Sequence, residues 1–566
     1  MNHAIRTYLS AAILAGCATT PTADPDPVDS DLQGLEELAE GLTDLSLRCT
    51  TMTSGGVVAI ALLDADIALI NKSTTGALLI NGYSCGGALA TGTALKQVAI
   101  TGSTGANTVI LDYLAGTFAL GTATLVGITV DLGTGTDALK IRGTKTADTV
   151  TFGASGIVVN GDATKDITAA NVETFAVTLS DGADVVSAAG SVATGAAFAT
   201  AVTVYGGLGN DTLRGGDGDD TLDGGDGVDT FQTGTADDGA ETYVGGAGSD
   251  VVDYSTRTAA LTVTMDGTTT GNDGETGEAD KISDDVETVK GGAGADSFTG
   301  NLSANIFYGG AGSDTLIGGA GLDQLFGEAG DDTFDEEAAA NGGDTVTGGA
   351  GTDTIDYSGR SADTVIKLDN SATSGEALET DKIATDVENV LGGSAIDTIT
   401  GSASANVIDG GAGADRIDGG AGADTITGGG GADVMSGGTE DDTFVMGSAA
   451  EGSDTITGGT GVDKVDYSAR TNALTIVMDG VTPGGETGEA TTIGTDVEAL
   501  AAGAGADAIT GNAADNVLEG GAGVDTITGL AGDDILDGGL GADVLDCGAG
   551  DDINLDPTAT ATFCEL

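Results

Sequence analysis

The sequence predicts an all-β solenoid in which short parallel strands stack as successive coils. The first observation is a nine-residue repeat, Gly-Gly-x-Gly-x-Asp-x-aliphatic-x, which recurs through the C-terminal part of the 566 residues. The second is its phase, since acids hold the sixth place and apolar residues the eighth in GGLGNDTLRGGDGDDTLDGGDGVDTFQ at 206–232. The third is a formal net charge of −71, which opposes any compact fold unless it is neutralised.

Each repeat divides into a turn and a strand. Glycines permit the positive φ angles and close backbone contacts of a tight turn, and the x-aliphatic-x triplet forms a short strand with one inward side chain. Parallel coils stack about 4.8 Å apart, so we expect Leu213, Leu222 and Phe231 in one interior column. We expect the turn aspartates to form columns along the outside.

The acidic columns require counter-cations. Two carboxylates about 5 Å apart repel by about 3 kcal/mol at an effective dielectric constant of about 20. Carboxylate and turn carbonyl oxygens are hard ligands that select Ca²⁺ over softer metals, and a flexible Gly-rich loop suits calcium better than the strict octahedron of Mg²⁺. We therefore predict multiple Ca²⁺ ions as the cofactor, with metal binding coupled to folding.

The tandem motif resembles the repeats-in-toxin (RTX), or hemolysin-type calcium-binding, nonapeptide family. The resemblance implies a parallel β-roll or β-helix solenoid with calcium-binding Gly-Asp-rich turns, two nonapeptides per coil, and ions held between turns by sixth-place Asp side chains and glycine carbonyls. Carried over position by position, the implied metal ligands are Asp211, Asp220, Asp229, Asp296, Asp314, Asp323, Asp332, Asp397, Asp415, Asp424, Asp433, Asp442, Asp507, Asp525, Asp534, Asp543 and Asp552.

Three repeats depart from the motif. Asn305, Asn406 and Asn516 stand at the ligand place, and their repeats lack the glycine pair. We expect those coils to fold without a full calcium site.

Disorder is the alternative to a solenoid, because acidic Gly-rich chains are often unfolded. Low complexity alone does not keep aliphatic residues in phase with acids, so we expect order with calcium and disorder without it. The negative field excludes nucleic acid and anionic lipid as direct partners.

The N-terminus resembles a bacterial lipoprotein signal. Met1–Arg6 is basic, Thr7–Leu14 is apolar, and Leu-Ala-Gly-Cys ending at Cys17 resembles a lipobox, which predicts a signal peptide at 1–16 and lipidation of Cys17. An ordinary cleaved secretory signal is the alternative. Residues 17–31 form a Pro- and Asp-rich tether. We expect an outer-membrane lipid-anchored protein of a Gram-negative-type bacterium, at the cell surface or extracellular, that contacts the membrane only through its lipid.

The cysteines predict disulfides. With Cys17 acylated, four cysteines allow three connectivities, and proximity in sequence favours Cys49–Cys85 and Cys547–Cys564. The second pair would staple a C-terminal cap at 547–566.

A larger unit repeats between the nonapeptide arrays. VDYSTR at Val252, IDYSGR at Ile355 and VDYSAR at Val465 each open one, and Leu261, Val263 and Met265 in the first alternate as a strand with one buried face. The expected divisions are a degenerate β-solenoid with an N-terminal cap at 32–200, a first array at 201–251, and repeat units with further arrays at 252–354, 355–464 and 465–546. The cap includes Leu32–Leu47, the one segment with a helical pattern.

Two features of this larger unit have more than one interpretation. Its Tyr and Arg form either a stacked structural pair or a carbohydrate contact, of which we favour the first. Its glutamate pairs, Glu275/Glu278, Glu376/Glu379 and Glu486/Glu489, belong either to a solvated loop, which we favour, or to further calcium sites.

Catalysis is not expected. The sole histidine, His3, lies in the leader, so a mature chain contains no Ser-His-Asp triad, HExxH site or His base. We predict a calcium-binding structural or adhesive surface lipoprotein that folds on Ca²⁺ into a rigid β-roll, with surface glycans or neighbouring cells as candidate partners. The alternatives are a calcium-dependent β-helix polysaccharide lyase or epimerase, and an extracellular calcium buffer or matrix protein.

Overall fold

The computed structural model describes residues 48–49, 57–63, 66–72, 78–80, 83–84, 97–113, 127–159, 161, 165–235, 238–265, 267 and 273–564. Every secondary-structure element among these residues is a β-strand. None of the described residues belongs to a helix with the length and apolar character of a membrane span. Leu32–Leu47, Cys17 and Cys85 lie outside the described residues, so the cap, the lipidation and the Cys49–Cys85 pairing stay predictions.

The strands are short and follow one another closely. The first group is β1 Arg48–Cys49, β2 Val57–Ala61, β3 Ile67–Lys72, β4 Leu78–Ile80, β5 Tyr83–Ser84, β6 Gln97–Thr101, β7 Thr108–Asp112, β8 Ile128–Asp131, β9 Ala138–Arg142, β10 Thr149–Gly153, β11 Gly156–Val159, β12 Ile167–Ala170, β13 Thr174–Thr178, β14 Val185–Ser187, β15 Val202–Leu208, β16 Thr212–Arg214, β17 Thr221–Gly227, β18 Thr230–Gln232, β19 Thr242–Gly248 and β20 Val251–Asp253. The second group is β21 Leu261–Thr264, β22 Gly274–Glu275, β23 Lys281–Ile282, β24 Thr288–Lys290, β25 Ser297–Thr299, β26 Ile306–Ala311, β27 Thr315–Ile317, β28 Gln324–Ala329, β29 Thr333–Asp335, β30 Thr345–Ala350, β31 Thr354–Asp356, β32 Val365–Lys367, β33 Lys382–Ile383, β34 Asn389–Leu391, β35 Thr398–Thr400, β36 Val407–Asp409, β37 Ala412–Gly413 and β38 Arg416–Ala421. The third group is β39 Thr425–Thr427, β40 Gly430–Gly431, β41 Val434–Thr439, β42 Thr443–Val445, β43 Thr455–Thr460, β44 Lys464–Asp466, β45 Thr475–Val477, β46 Thr492–Ile493, β47 Ala499–Ala501, β48 Ala508–Thr510, β49 Val517–Glu519, β50 Ala522–Gly523, β51 Thr526–Thr528, β52 Ile535–Asp537, β53 Leu540–Gly541, β54 Val544–Asp546, β55 Ile553–Asn554 and β56 Thr560–Thr562.

Two nonapeptides form one coil. Leu213 in β16 pairs in parallel with Phe231 in β18, and the intervening strand β17 pairs with β15 in a different ladder. Consecutive nonapeptides therefore alternate between two parallel ladders, which confirms the predicted β-roll. In the turn, Gly225 has a φ of 95°, and a Cβ there would collide with the carbonyl oxygen of Gly207 one coil earlier, so the turn requires glycine.

The chain divides into two compact units, and the second covers residues 145–165 and 175–566. Its main parallel ladders are β14-β16-β18-β20-β24-β26-β28-β30-β33, β15-β17-β19-β23, β21-β25-β27-β29-β31-β34-β36-β39-β42-β44-β47-β49-β52-β55, β32-β35-β38-β41-β43-β46 and β45-β48-β51-β54-β56. Each DYSxR unit begins a new ladder and ends an old one, since β21, β32 and β45 open ladders while β23, β33 and β46 close them.

The core of the second unit has a column of single apolar side chains on each ladder, and not the one predicted column, since Leu213 and Phe231 lie in one ladder and Leu222 in the other. Leu213, Leu222 and Phe231 are 0% exposed, as the eighth-place pattern predicts. The alternating residues Leu261 and Val263 are also buried. Burying each such side chain contributes about 1.5–3 kcal/mol, and the three-residue strands offer only one each.

The first unit, residues 1–144 and 166–174, is also built from parallel coils. Its ladders include β2-β6-β8-β12 and β3-β7-β9. Several of its strands bury two apolar residues each, as Val58 and Ile60 in β2 and Val98 and Ile100 in β6. Apolar packing thus contributes to the stability of these coils, which are poor in glycine and acid.

The end of the roll is covalently closed. β54 pairs with β56, and a disulfide joins Cys547 to Cys564 with their Cα atoms 5.2 Å apart. The last strand is thereby tied to the coil before it.

Candidate metal centre

The sixth-place aspartates form ladders from coil to coil. The backbone amide of most of them donates to Oδ1 of the aspartate one coil later, as from Asp211 to Asp229 at 2.7 Å and from Asp229 to Asp250 at 2.8 Å. Asp211 is 1% exposed and Asp229 is 0% exposed. The prediction that the turn aspartates line the outside is wrong, because each carboxylate folds back under its own glycine turn and is held by the neighbouring backbone.

The second carboxylate oxygen, Oδ2, is buried and accepts no hydrogen bond. Leaving a buried polar group unsatisfied costs about 1–3 kcal/mol, and more for a charged group, so a whole column of such oxygens needs a positive partner. The predicted ligands with this arrangement are Asp211, Asp229, Asp314, Asp323, Asp332, Asp415, Asp424, Asp433, Asp442, Asp507, Asp525, Asp534, Asp543 and Asp552.

The first-place glycine leaves a space that oxygen atoms surround. A Cβ on Gly410 would lie 2.9 Å from Oδ2 of Asp415 and 2.7 Å from the carbonyl oxygen of Gly428, one coil later. At Gly520 the corresponding distances to the Asp525 carboxylate and the Gly538 carbonyl are both 2.8 Å. Carboxylate and carbonyl oxygens of adjacent coils thus converge on one small space, and this is the donor set that Ca²⁺ prefers.

Electrostatics also favours a cation at these turns. Burial, together with the neighbouring carboxylates of Asp211 and Asp250, raises the pKa of Asp229 to about 7. Burial likewise raises the pKa of Asp424 to about 7 and that of Asp415 to about 6. A carboxylate whose ionisation is unfavourable either keeps its proton or exchanges it for a metal ion.

Comparison with known families agrees with this geometry. The RTX calcium-binding nonapeptide repeat model matches residues 203–234, 235–253, 283–316, 308–335, 339–359, 391–426, 415–444, 448–469, 493–527 and 519–553, which contain every predicted ligand. The chain is an RTX calcium-binding repeat protein. No curated protein matches it. RTX repeats bind multiple Ca²⁺ ions, and the orphan Oδ2 atoms and glycine carbonyls described above fit that ion.

Some RTX aspartates differ from the rest. Oδ2 of Asp220 accepts the amide of Gly216 at 2.6 Å, and Oδ2 of Asp397 accepts that of Gly393 at 2.8 Å. Asp296 is arranged in the same way, with the amide of Gly292 at 3.0 Å. Each begins a column, since its Oδ1 is held by the amide of Val202, Thr364 or Leu261 rather than by another acid.

The asparagines behave like these first aspartates. Oδ1 of Asn406 accepts the amide of Ser402 at 2.7 Å, and Oδ1 of Asn516 accepts that of Asn512 at 2.8 Å. Asn305 makes the same contact with Asn301. Because the accepting oxygen is occupied, these coils close without a free anionic ligand.

The sequence analysis missed several members of the RTX ladders. Oδ2 of Asp250, Asp353 and Asp463 is buried without a partner, and the Gly-Gly-x-Gly-x-Asp pattern that precedes each was visible at 245–250, 348–353 and 458–463. Further members with an orphan Oδ2 but a weaker motif are Asp137, Asp184 and Asp344. Their signal was obscured by longer turns and lost glycines.

The Asp-Val-Glu motif ends each of the first three RTX arrays. The carboxylate of Asp285 accepts the amides of the glycine pair Gly245 and Gly246, both at 3.0 Å, and Glu287 accepts the amide of Asp250 at 2.8 Å. The glutamate therefore takes the place of the next aspartate in the ladder. The same pairs recur as Asp386 with Glu388 and Asp496 with Glu498.

The DYSxR residues are structural. Tyr254 and Arg257 are both 0% exposed, and the guanidinium carbon lies 5.9 Å from the ring centroid. The same stack, at 5.6 Å, forms between Tyr357 and Arg360 and between Tyr467 and Arg470. This confirms the stacked pair and makes a carbohydrate contact impossible for side chains without exposed surface.

The arginines correct the interpretation of the glutamate pairs. A terminal nitrogen of Arg257 lies 2.8 Å from Glu278, whose side chain is 0% exposed. Arg360 and Arg470 bind Glu379 and Glu489 at 3.0 and 2.9 Å. The favoured solvated-loop interpretation is therefore wrong for the second glutamate of each pair, since it is a buried partner of the arginine.

Proposed function

We propose that calcium folds this RTX chain into a stiff surface element of a bacterial cell, with a structural or adhesive role and no catalytic one. The observation that carries the proposal is the column of buried Oδ2 atoms without hydrogen-bond partners. A fold that buries so many carboxylates in register depends on divalent cations for its charge balance. Calcium would thus act as a condition for display, since the roll forms only where calcium is abundant.

We assign the ligand role to the aspartates with an orphan Oδ2, together with the carbonyl oxygens of the first-place glycines. Asp220, Asp296 and Asp397, although predicted as ligands, are assigned instead to turn closure, because both of their oxygens accept backbone amides. Counting bound calcium on Asp→Asn variants from the two groups tests this division. Loss of calcium from the first group and none from the second supports it, and equal losses reject it.

We propose that Cys17 carries the lipid that holds the chain at the outer membrane, with 17–31 as the tether. The support is the lipobox-like sequence before Cys17. Metabolic labelling with radioactive palmitate tests it. We expect label on the wild-type chain and none on Cys17→Ser, and equal labelling of both would reject lipid anchoring.

We propose that the displayed roll contacts surface glycans or neighbouring cells. The support is its repetitive scaffold, in which calcium sites and acidic turns are presented many times. Aggregation of cells with and without the gene, each with calcium and with chelator, tests this role. We expect aggregation only with both gene and calcium, and unchanged aggregation of the deletion strain would exclude adhesion while leaving the structural role.

A further inference from the structure

A cluster of three acids lies where the second nonapeptide array meets the second DYSxR unit, and two of them, Glu336 and Asp381, stand outside the nonapeptide motif. The carboxylates of Glu336, Asp344 and Asp381 each place an oxygen within 4.8 Å of the others, and all three residues are buried. Glu336 follows strand β29, Asp344 precedes β30 and Asp381 precedes β33. The cluster therefore joins the end of an array to the loop that follows the DYSxR motif.

Two of these acids have free oxygens directed into the cluster. Glu336 and Asp344 are each only 1% exposed, and Oε1 of Glu336 and Oδ2 of Asp344 are buried without a hydrogen-bond partner. Asp381 is fixed, because its Oδ1 accepts the amide of Asp344 at 3.0 Å and its Oδ2 accepts the hydroxyl of Tyr357 at 2.8 Å. The tyrosine thus orients the third carboxylate toward the other two.

The neighbouring arginine does not neutralise the cluster. Arg360 lies 3.0 Å from Glu379 and 3.4 Å from Glu376, but its nearest terminal nitrogen is 3.8 Å from Glu336. The guanidinium of Arg360 therefore faces several buried carboxylates, and it binds mainly to Glu376 and Glu379. Uncompensated buried charge of this kind is costly unless a cation is bound.

The third DYSxR unit fills the corresponding place without acids. Met446 stands where Glu336 does, and Thr491 stands where Asp381 does. Thr491 Oγ1 lies 3.3 Å from Oδ2 of Asp454, the counterpart of Asp344, and donates to it. Among the described residues no acidic cluster of this type occurs in that unit. The apolar side chain of Met446 and the hydroxyl of Thr491 thus occupy the places of Glu336 and Asp381.

We propose that Glu336, Asp344 and Asp381 bind one divalent cation of the calcium type, at a site that combines the ladder aspartate Asp344 with two acids outside the nonapeptide motif. Glu336 supplies a ligand that the nonapeptide motif lacks. The three carboxylates offer only hard oxygen donors, which favours Ca²⁺ or a similar ion over softer metals. The site would join the last coil of one array to the next unit, and it rests on the proposed function only in requiring a folded roll.

Native mass spectrometry of the full chain in saturating calcium tests the site, because it resolves individual bound ions. We expect Glu336→Gln to bind one calcium fewer than the wild type, while Glu337→Gln, which removes an exposed charge one residue away, binds the same number. Circular dichroism shows whether each variant is folded. An unchanged count in folded Glu336→Gln overturns the proposal and indicates that a shared proton holds the acids together.

A transplant keeps the test decisive if Glu336→Gln fails to fold. Met446→Glu combined with Thr491→Asp gives the third unit the acids of the second, and we expect one additional calcium. No additional ion on the folded double variant contradicts the proposal. Failure of the wild type to bind any calcium would instead overturn the proposed function, so the two outcomes are distinguishable.

Discussion

The substitution Asp415→Asn is expected to have opposite effects with and without calcium. Asp415 is 1% exposed, its Oδ1 accepts the amide of Asp397 at 2.8 Å, and its own amide donates to Asp433 at 2.9 Å. It therefore has an acidic neighbour on each side, about 4.8 Å away in coil spacing. Each neighbouring pair costs about 3 kcal/mol when both members are ionised.

Without calcium the asparagine removes that repulsion and keeps the Oδ1 acceptor. Because burial raises the pKa of Asp433 to about 6, that neighbour is protonated part of the time, and we expect the calcium-free roll to gain about 1–3 kcal/mol. With calcium the amide nitrogen replaces an anionic ligand and leaves the ion undercompensated, which we expect to cost about 3–5 kcal/mol. The assays are urea unfolding in saturating calcium and folding by trimethylamine N-oxide in chelator, both followed by circular dichroism.

Asp397→Asn is the matched control. Both oxygens of Asp397 accept backbone amides, from Thr364 and Gly393, each at 2.8 Å. Its amide variant must direct an NH₂ group at one of these donors, which costs about 1–3 kcal/mol whether or not calcium is present. The reasoning is refuted if both variants shift stability by the same amount in both conditions.

Three further outcomes follow from the contacts described above. The pKa values of Asp424 and Asp415, about 7 and about 6, exceed that of unfolded aspartate, so protons bind preferentially to the folded roll. The protein in chelator should therefore gain β-structure as the pH falls through these values and lose it as the pH rises. A circular dichroism spectrum that does not change with pH would contradict this. Arg360→Met should lower the free energy of unfolding in urea by about 3–5 kcal/mol, because it leaves Glu379 buried without its cation. Lys464→Met, at an exposed ion pair, should lower it by no more than about 1 kcal/mol. Equal losses in the two variants would count against a buried structural role for Arg360. Reduction of the Cys547–Cys564 disulfide, which closes a loop of 17 residues, should cost about 3 kcal/mol and increase hydrogen exchange in the last coil, and unchanged exchange there would show that the bridge stabilises nothing.

The period of the sequence was enough to predict the roll. Acids recur every nine positions, and so do aliphatic residues, which keeps the two in phase. This is possible only if each repeat places its aliphatic residue inward and its acid in the turn, as with Leu213 and Asp211, and the parallel ladders confirm this. The alternating strand of each DYSxR unit was predictable for the same reason. The period did not show that these units exchange one ladder for another, because strand pairing across tens of residues depends on the whole coil.

The state of each carboxylate depended on its neighbours rather than on its own motif. Asp220 and Asp229 occupy equivalent places in adjacent repeats, yet Oδ2 of one is held by a turn amide and that of the other has no partner. One coil earlier, the amide of Val202 donates to Asp220 and that of Asp211 donates to Asp229. The residue 18 positions before each acid does not separate the two groups, since Glu278 stands before Asp296 and Asn305 before Asp323.

Burial of the DYSxR arginines was also outside the reach of sequence reasoning. The distance along the chain from Arg257 to Glu278 gives no sign that the loop folds back to bury both. Charged residues between Gly-rich arrays are usually exposed. Only the recurrence of the same Arg and Glu in each unit signalled a fixed partner.

Far-ultraviolet circular dichroism of the purified chain during a calcium titration tests the central claim most directly. If cations balance the buried carboxylates, the chain in excess chelator at neutral pH should have little ordered β-structure, and calcium should induce it cooperatively. An identical, fully developed β spectrum in chelator and in saturating calcium would contradict this account.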